Sequence, residues 1–160
     1  MDFRERLHRA SERGQRARDA EAREAAARAL SEEECRRLHS TNRMVLLDYI
    51  EKCLHELADN FPGFRVESVV ESNGWGSVAR RDDVGLSRGR SDNFFSRLQM
   101  TVSPANKYNV LDVVAKGTIR NKEVFSRNFY QPLGEVDLDR FRELIEQWVL
   151  EYAELYAATG

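Results

Sequence analysis

FRVESVVESNGWGSVARRD, residues 64–82, is the stretch whose reading decides the fold. Phe64, Val66, Ser68 and Val70 alternate with Arg65, Glu67, Val69 and Glu71, the period of a strand and not of a helix. Asn73-Gly74 follows, the dipeptide that most strongly marks a two-residue hairpin turn. A turn centred there sets Glu67 against Arg80 and Arg65 against Asp82, two complementary charge pairs on one face. The other face carries Val66, Ser68, Val70, Trp75, Ser77 and Ala79 and is expected to meet the core. Arg81 falls on that apolar side at the strand end, where it must snorkel or bind something.

Downstream, alternation continues. Phe94, Leu98, Met100 and Val102 are expected to point inward from a strand over 94–103, with Phe95, Arg97, Gln99 and Thr101 outward. Further strands are expected over 110–119 and 124–130, joined by a three-residue loop that pairs Ile119 with Phe125 and Ala115 with Phe129. Between the second and third strands, residues 82–93 read as a long surface loop, with Gly89 between Arg88 and Arg90. Guanidinium forks beside an exposed ring suit an anion or a single-stranded nucleic acid, whereas Asp82, Asp83 and Asp92 offset that charge.

Helical patterns flank the strands. Leu46, Ile50, Cys53 and Leu57 form one apolar face of a helix stopped by Phe61, Pro62 and Gly63. Asp137 is an N-cap candidate for a last helix whose apolar face includes Phe141, Ile145, Trp148 and Tyr152. One-sided strands and two amphipathic helices imply an α+β two-layer domain: a five-stranded antiparallel meander covered on one face by an N-terminal and a C-terminal helix.

Before this domain, assigned to residues 31–160, lies a charged Ala/Arg/Glu-rich arm over residues 1–30, expected to be a projecting helix. Asp2/Arg6, Glu5/Arg9, Glu12/Arg16, Asp19/Arg23 and Glu24/Arg28 are acid-first pairs at i, i+4, the spacing that supports an isolated helix. The best self-association seam runs through Phe3, Leu7, Ala10 and Ala17, and it loses large side chains too early for a sustained zipper. Ser31 with Glu34 resembles a capping box, and Ser40, Thr41 and Asn42 offer a second break.

The chain has 160 residues, 41% hydrophobic and 32% charged, with a net charge of −2. Residues 61–133 carry 11 Lys/Arg against 7 Asp/Glu and residues 134–160 carry 2 against 7, so a mildly basic strand region precedes an acidic helix. No apolar run approaches the roughly 20 residues of a membrane span, and a cytoplasmic location with no membrane partner is expected. Cys35 and Cys53 set up no disulfide framework. Cys35 and His39 share the i, i+4 spacing of metal ligands, yet His55 lies about 24 Å further along a continuous helix, so no metal site is expected and the histidines read as helix-surface residues. No nucleophile elbow, paired-carboxylate motif or phosphate-binding glycine fingerprint is present, so neither an enzyme nor a cofactor is expected.

These features suggest a non-enzymatic module that binds a protein partner or itself as a homo-oligomer. The alternative is binding of nucleic acid or a phosphorylated ligand through Arg80, Arg81, Arg88, Arg90, Phe95 and Arg97, a reading not favoured by the interleaved acids.

Overall fold

The structure, a computed structural model, describes residues 2–87 and 90–159, with the backbone alone for residues 27–30, 84–87 and 90–92. Its order is α1 (Phe3–Asn60), β1 (Arg65–Glu71), β2 (Gly74–Ser87), β3 (Arg90–Val102), β4 (Val110–Ile119), β5 (Lys122–Pro132), a short 3₁₀ turn (Leu133–Glu135) and α2 (Leu138–Thr159). The strands form one antiparallel sheet in the order β1-β2-β3-β4-β5. The fold is therefore the expected α+β class, with a five-stranded meander and α2 packed on it.

Two compact units divide the chain at Arg37/Leu38. The first, Met1–Arg37, is helical, and every described side chain from residue 2 to residue 26 is exposed. Asp2 caps it by accepting the Glu5 N–H on Oδ1 at 2.8 Å. Among the described residues, Glu34–Arg37 (3.7 Å) is its ion pair and His8 Nε2 lies 3.2 Å from Glu12, whereas Asp2/Arg6, Glu5/Arg9, Glu12/Arg16 and Asp19/Arg23 remain more than 4 Å apart. Fully solvated side chains gain too little from pairing to hold one geometry. The backbone of α1 also passes unbroken through Ser31 and Ser40–Asn42, against the expected interruptions. Burial on both sides of the second position outweighs its weak local preference for a break: His39 before it and Leu46 and Ile50 after it are buried.

In the second unit, Leu38–Gly160, the core lies between helices and sheet. Leu46, Ile50, Leu54 and Leu57 of α1 and Phe141, Ile145, Trp148 and Tyr152 of α2 are buried with Ala79, Leu98, Met100, Val102, Leu111, Val113 and Ala115. Each fully buried Leu or Phe side chain contributes about 1.5–3 kcal/mol. Asp137 caps α2 as expected, accepting the N–H groups of Asp139 (3.1 Å) and Arg140 (3.3 Å). Tyr152 donates to the Thr118 carbonyl at 2.8 Å, and Gly117 leaves room for its ring: a Cβ there would lie 3.0 Å from Tyr152 and 2.9 Å from Phe125.

Three local expectations are corrected. The first hairpin turns on Ser72-Asn73, one residue early, so Glu71 faces Gly74, Glu67 faces Val78 and Arg65 faces Arg80. Gly74 serves the neighbouring strand instead of the turn, because a Cβ there would lie 2.9 Å from the Val102 carbonyl. Gly76 is tighter still, with a Cβ position 1.9 Å from the Met100 carbonyl. Around this approach of β2 to β3, Val69, Val78 and Thr101 are buried although they point away from the helices. Conversely Val70, on the helix side, is 78% exposed, since β1 is the sheet edge.

The expected long loop over 82–93 is strand: β2 and β3 pair as far as Ser87 and Arg90. Beyond Arg80 and Arg97, no other strand among the described residues pairs with this ribbon. Asn121 stands in for one at its start, its Oδ1 accepting the Phe95 N–H (2.9 Å) and its Nδ2 donating to the Asn93 carbonyl (3.2 Å). Lastly, β4 turns into β5 through Arg120 and Asn121, both at positive φ (48° and 69°), so Ile119 pairs with Lys122 in place of Phe125. Two left-handed residues in a row match the twist of the flanking strands. A register shift at Gly117/Thr118 then sets Ala115 against Arg127, whose guanidinium reaches Glu151 of α2 at 2.8 Å.

Candidate functional site

The sheet has one face under the helices and one uncovered, and strand parity sorts the candidate residues between them. Arg80, Phe95 and Arg97 share the uncovered face. Arg80 and Arg97 stand directly opposite each other, and their guanidinium carbons lie 5.5 and 5.6 Å from the centroid of the half-buried Phe95 ring. Arg65, which the sequence reading left out of the site, extends the row on β1 opposite Arg80. Three arginines in one cross-strand row repel one another, and nearby acids relieve them: Arg80 Nε donates to Asp82 Oδ1 at 3.2 Å, and Glu67 lines the same small hollow as Arg65, Arg80 and Asp82.

Arg81 is not part of this group. It lies on the helix side, where its Nε donates to Asp83 Oδ1 (2.9 Å) and a terminal nitrogen donates to the Pro62 carbonyl (2.9 Å). The hydrogen bond to Asp83 holds its pKa above the usual guanidinium value. Its side chain packs against Gly63, whose φ of 107° strains any other residue and whose Cβ position would lie 3.1 Å from Arg81 Nε. The residue is a clamp on the loop after α1. Arg88 lies outside the described residues, and Arg90 is described by its backbone in β3 only. Phe3 and Leu7 are 70% and 55% exposed on the first unit, with Ala10 and Ala17 exposed beside them.

Three polar groupings elsewhere resemble chemistry and serve structure. His39, expected on a helix surface, is buried on α1; its Nε2 donates to the Ser103 carbonyl at 3.0 Å. Desolvation lowers its pKa, with Arg43 adding to that effect against the raising influence of the hydrogen bond. The Ser103 hydroxyl donates instead to Asp112 Oδ2 at 3.0 Å, so imidazole and hydroxyl do not meet as base and nucleophile. Tyr49 donates a short hydrogen bond to Glu146, which raises the phenol pKa ahead of burial. Cys53, beside it in a cleft of about 450 Å³ between α1 and α2, has its thiol pKa raised by desolvation, the opposite of an activated nucleophile.

A third region, unremarked in the sequence, lies along the β1 edge. Val70, Trp75, Met44 and Leu47 line a groove of about 450 Å³ between α1 and β1. Arg43 stacks its guanidinium 3.9 Å from the centroid of Trp75 there, with its buried Nε unpaired. Val70 at 78% and Met44 at 55% exposure leave the groove apolar and open. Among the described residues, no group of three His, Cys, Asp or Glu side chains could hold a metal ion, and no helix is long and apolar enough to cross a membrane. Comparison with protein-family models, curated proteins and solved structures finds no match to this chain.

Proposed function

We propose that the chain is a non-enzymatic interaction module that binds a protein partner or a second copy of itself. The observation that carries this reading is the β1 groove, where Val70 points to the helix side of the sheet and is nonetheless 78% exposed beside Met44. Large apolar side chains gathered at an edge, rimmed by Asp48 and Glu51, have the anatomy of a contact patch. Sedimentation of the full chain over a wide range of concentration, with cross-linking to cellular proteins and a Val70→Asp/Met44→Asp variant as comparator, tests it. A species heavier than the 18.5 kDa monomer, or a cross-linked protein lost in the variant, is expected. The reading falls if the chain stays at 18.5 kDa and wild type and variant cross-link alike.

The row Arg65, Arg80 and Arg97 with Phe95 supports a second reading, binding of a nucleic acid or phosphorylated ligand on the uncovered face. Such binding must weaken steeply with salt. Titration of a single-stranded oligonucleotide and of a phosphopeptide at low salt should then show affinity that Arg80→Ala/Arg97→Ala removes. Absence of binding in the wild type would end this reading.

A further inference from the structure

β1 is complementary to itself, and we propose that a second copy of the chain pairs with it, antiparallel, about a two-fold axis through Ser68. This rests on the interaction-module reading and names its partner and its register. The first hairpin closes with Glu71 opposite Gly74 across a two-residue turn, and in such a turn the flanking residues exchange both backbone hydrogen bonds. Arg65, Glu67, Val69 and Glu71 thus commit their N–H and C=O groups to β2. Val66, Ser68 and Val70 aim theirs at the open edge.

A two-fold pairing that opposes outward to outward residues places the axis at one of residues 66–70, and axes at Val66 and Val70 pair only three residues of β1 with their copies. At Glu67 the axis sets that carboxylate against its own copy. At Val69 it sets Glu67 against the second copy's Glu71. Only the axis at Ser68 pairs all seven residues of β1, and it does so without like charges, setting Arg65 against the second copy's Glu71, twice by symmetry, and Val66 against the second copy's Val70.

Within the protomer these side chains have few partners of their own, and Arg65 shares the acids of its hollow with Arg80. Arg65 faces Arg80, Glu71 faces Gly74, and Val70 is 78% exposed. Pairing gives each guanidinium a carboxylate and closes valine over valine beside Met44 and Leu47 of the groove, and the two sheets become one of ten strands. The opposite edge is unsuited to this. β5 carries the register irregularity, ends in Pro132 and turns Arg127 toward Glu151, all devices that discourage edge pairing. β1 has no proline, lysine or irregularity in its ladder.

The test is the dimer dissociation constant of the full chain by sedimentation, with circular dichroism to confirm that each variant is folded. Arg65→Glu and Glu71→Arg each replace two attractive cross-strand pairs with two repulsive ones, so each should weaken the dimer about tenfold or more. The double variant Arg65→Glu/Glu71→Arg recreates both pairs with reversed polarity and should restore it. Ser68→Pro removes an outward N–H without touching the ladder to β2, and should give a folded monomer. A wild type that is monomeric throughout overturns the self-pairing and leaves the protein-partner reading to its cross-linking test. A dimer that survives Ser68→Pro, or single variants that the double variant does not rescue, overturns the β1 register while the module reading stands.

Discussion

His39 is a buried side chain whose surroundings make folding sensitive to acid. Burial holds its folded pKa below the ordinary 6.5, so in the interval between the two values the unfolded chain takes up a proton that the folded chain excludes. Its stabilising share is complete above about 6.5 and declines as acid is added through that interval. Melting the wild type and His39→Gln at about pH 7.5 and about pH 5.5 should show a smaller acid-induced drop in Tm for the variant, since glutamine keeps a donor for the Ser103 carbonyl and carries no titrating group. An equal drop in both would place the acid sensitivity elsewhere. Tyr49 illustrates a limit at the same scale: nothing in its neighbourhood of sequence announces Glu146, 97 residues away, which accepts its hydrogen bond.

At the scale of elements, the β2–β3 hairpin shows what sequence patterning can and cannot convey. The alternation of Leu98, Met100 and Val102, the Asp137 cap and the apolar face of α2 are local regularities, and each has its expected place in the structure. Residues 82–93 lack apolar alternation and so read as a loop. Their strand period is written in charge: Arg80 with Asp82 on one face and Arg81 with Asp83 on the other, two i, i+2 ion pairs that only an extended backbone permits. Asn73-Gly74 misled for a different reason, since the demand on Gly74 comes from β3, a strand beyond the hairpin. Of the candidate site, Arg80, Phe95 and Arg97 were legible through their parity, whereas the Arg65 row and the β1 groove depend on pairing register and on where the helix layer ends. The close approach of β2 to β3 makes a firm prediction: Gly76→Ala should destabilise the domain by about 3 kcal/mol, read as a fall in the urea midpoint, because the added methyl meets backbone that cannot rotate aside. A neutral result would show that the two strands part readily.

For the molecule as a whole, the division at Arg37/Leu38 separates a helix whose side chains over residues 2–26 are all exposed from a unit with its own core. Deleting residues 1–30 is therefore expected to leave the sheet and α2 folded, with an unchanged near-ultraviolet spectrum from Trp75 and Trp148. Loss of that signal would show that the first unit supports the core. If the arm takes part in binding through Phe3 and Leu7, the truncated chain should also bind its partner more weakly. The strictly sequential order β1-β2-β3-β4-β5 has a further consequence, in time and not in space. Every strand finds its neighbour in the segment just before it, so the ribosome can release each hairpin ready to add to the last, and no strand waits for a distant one. Such a chain should fold quickly for a protein so rich in sheet, with its slow step deferred to the moment when α2, which follows the whole sheet in the chain, closes over the growing core.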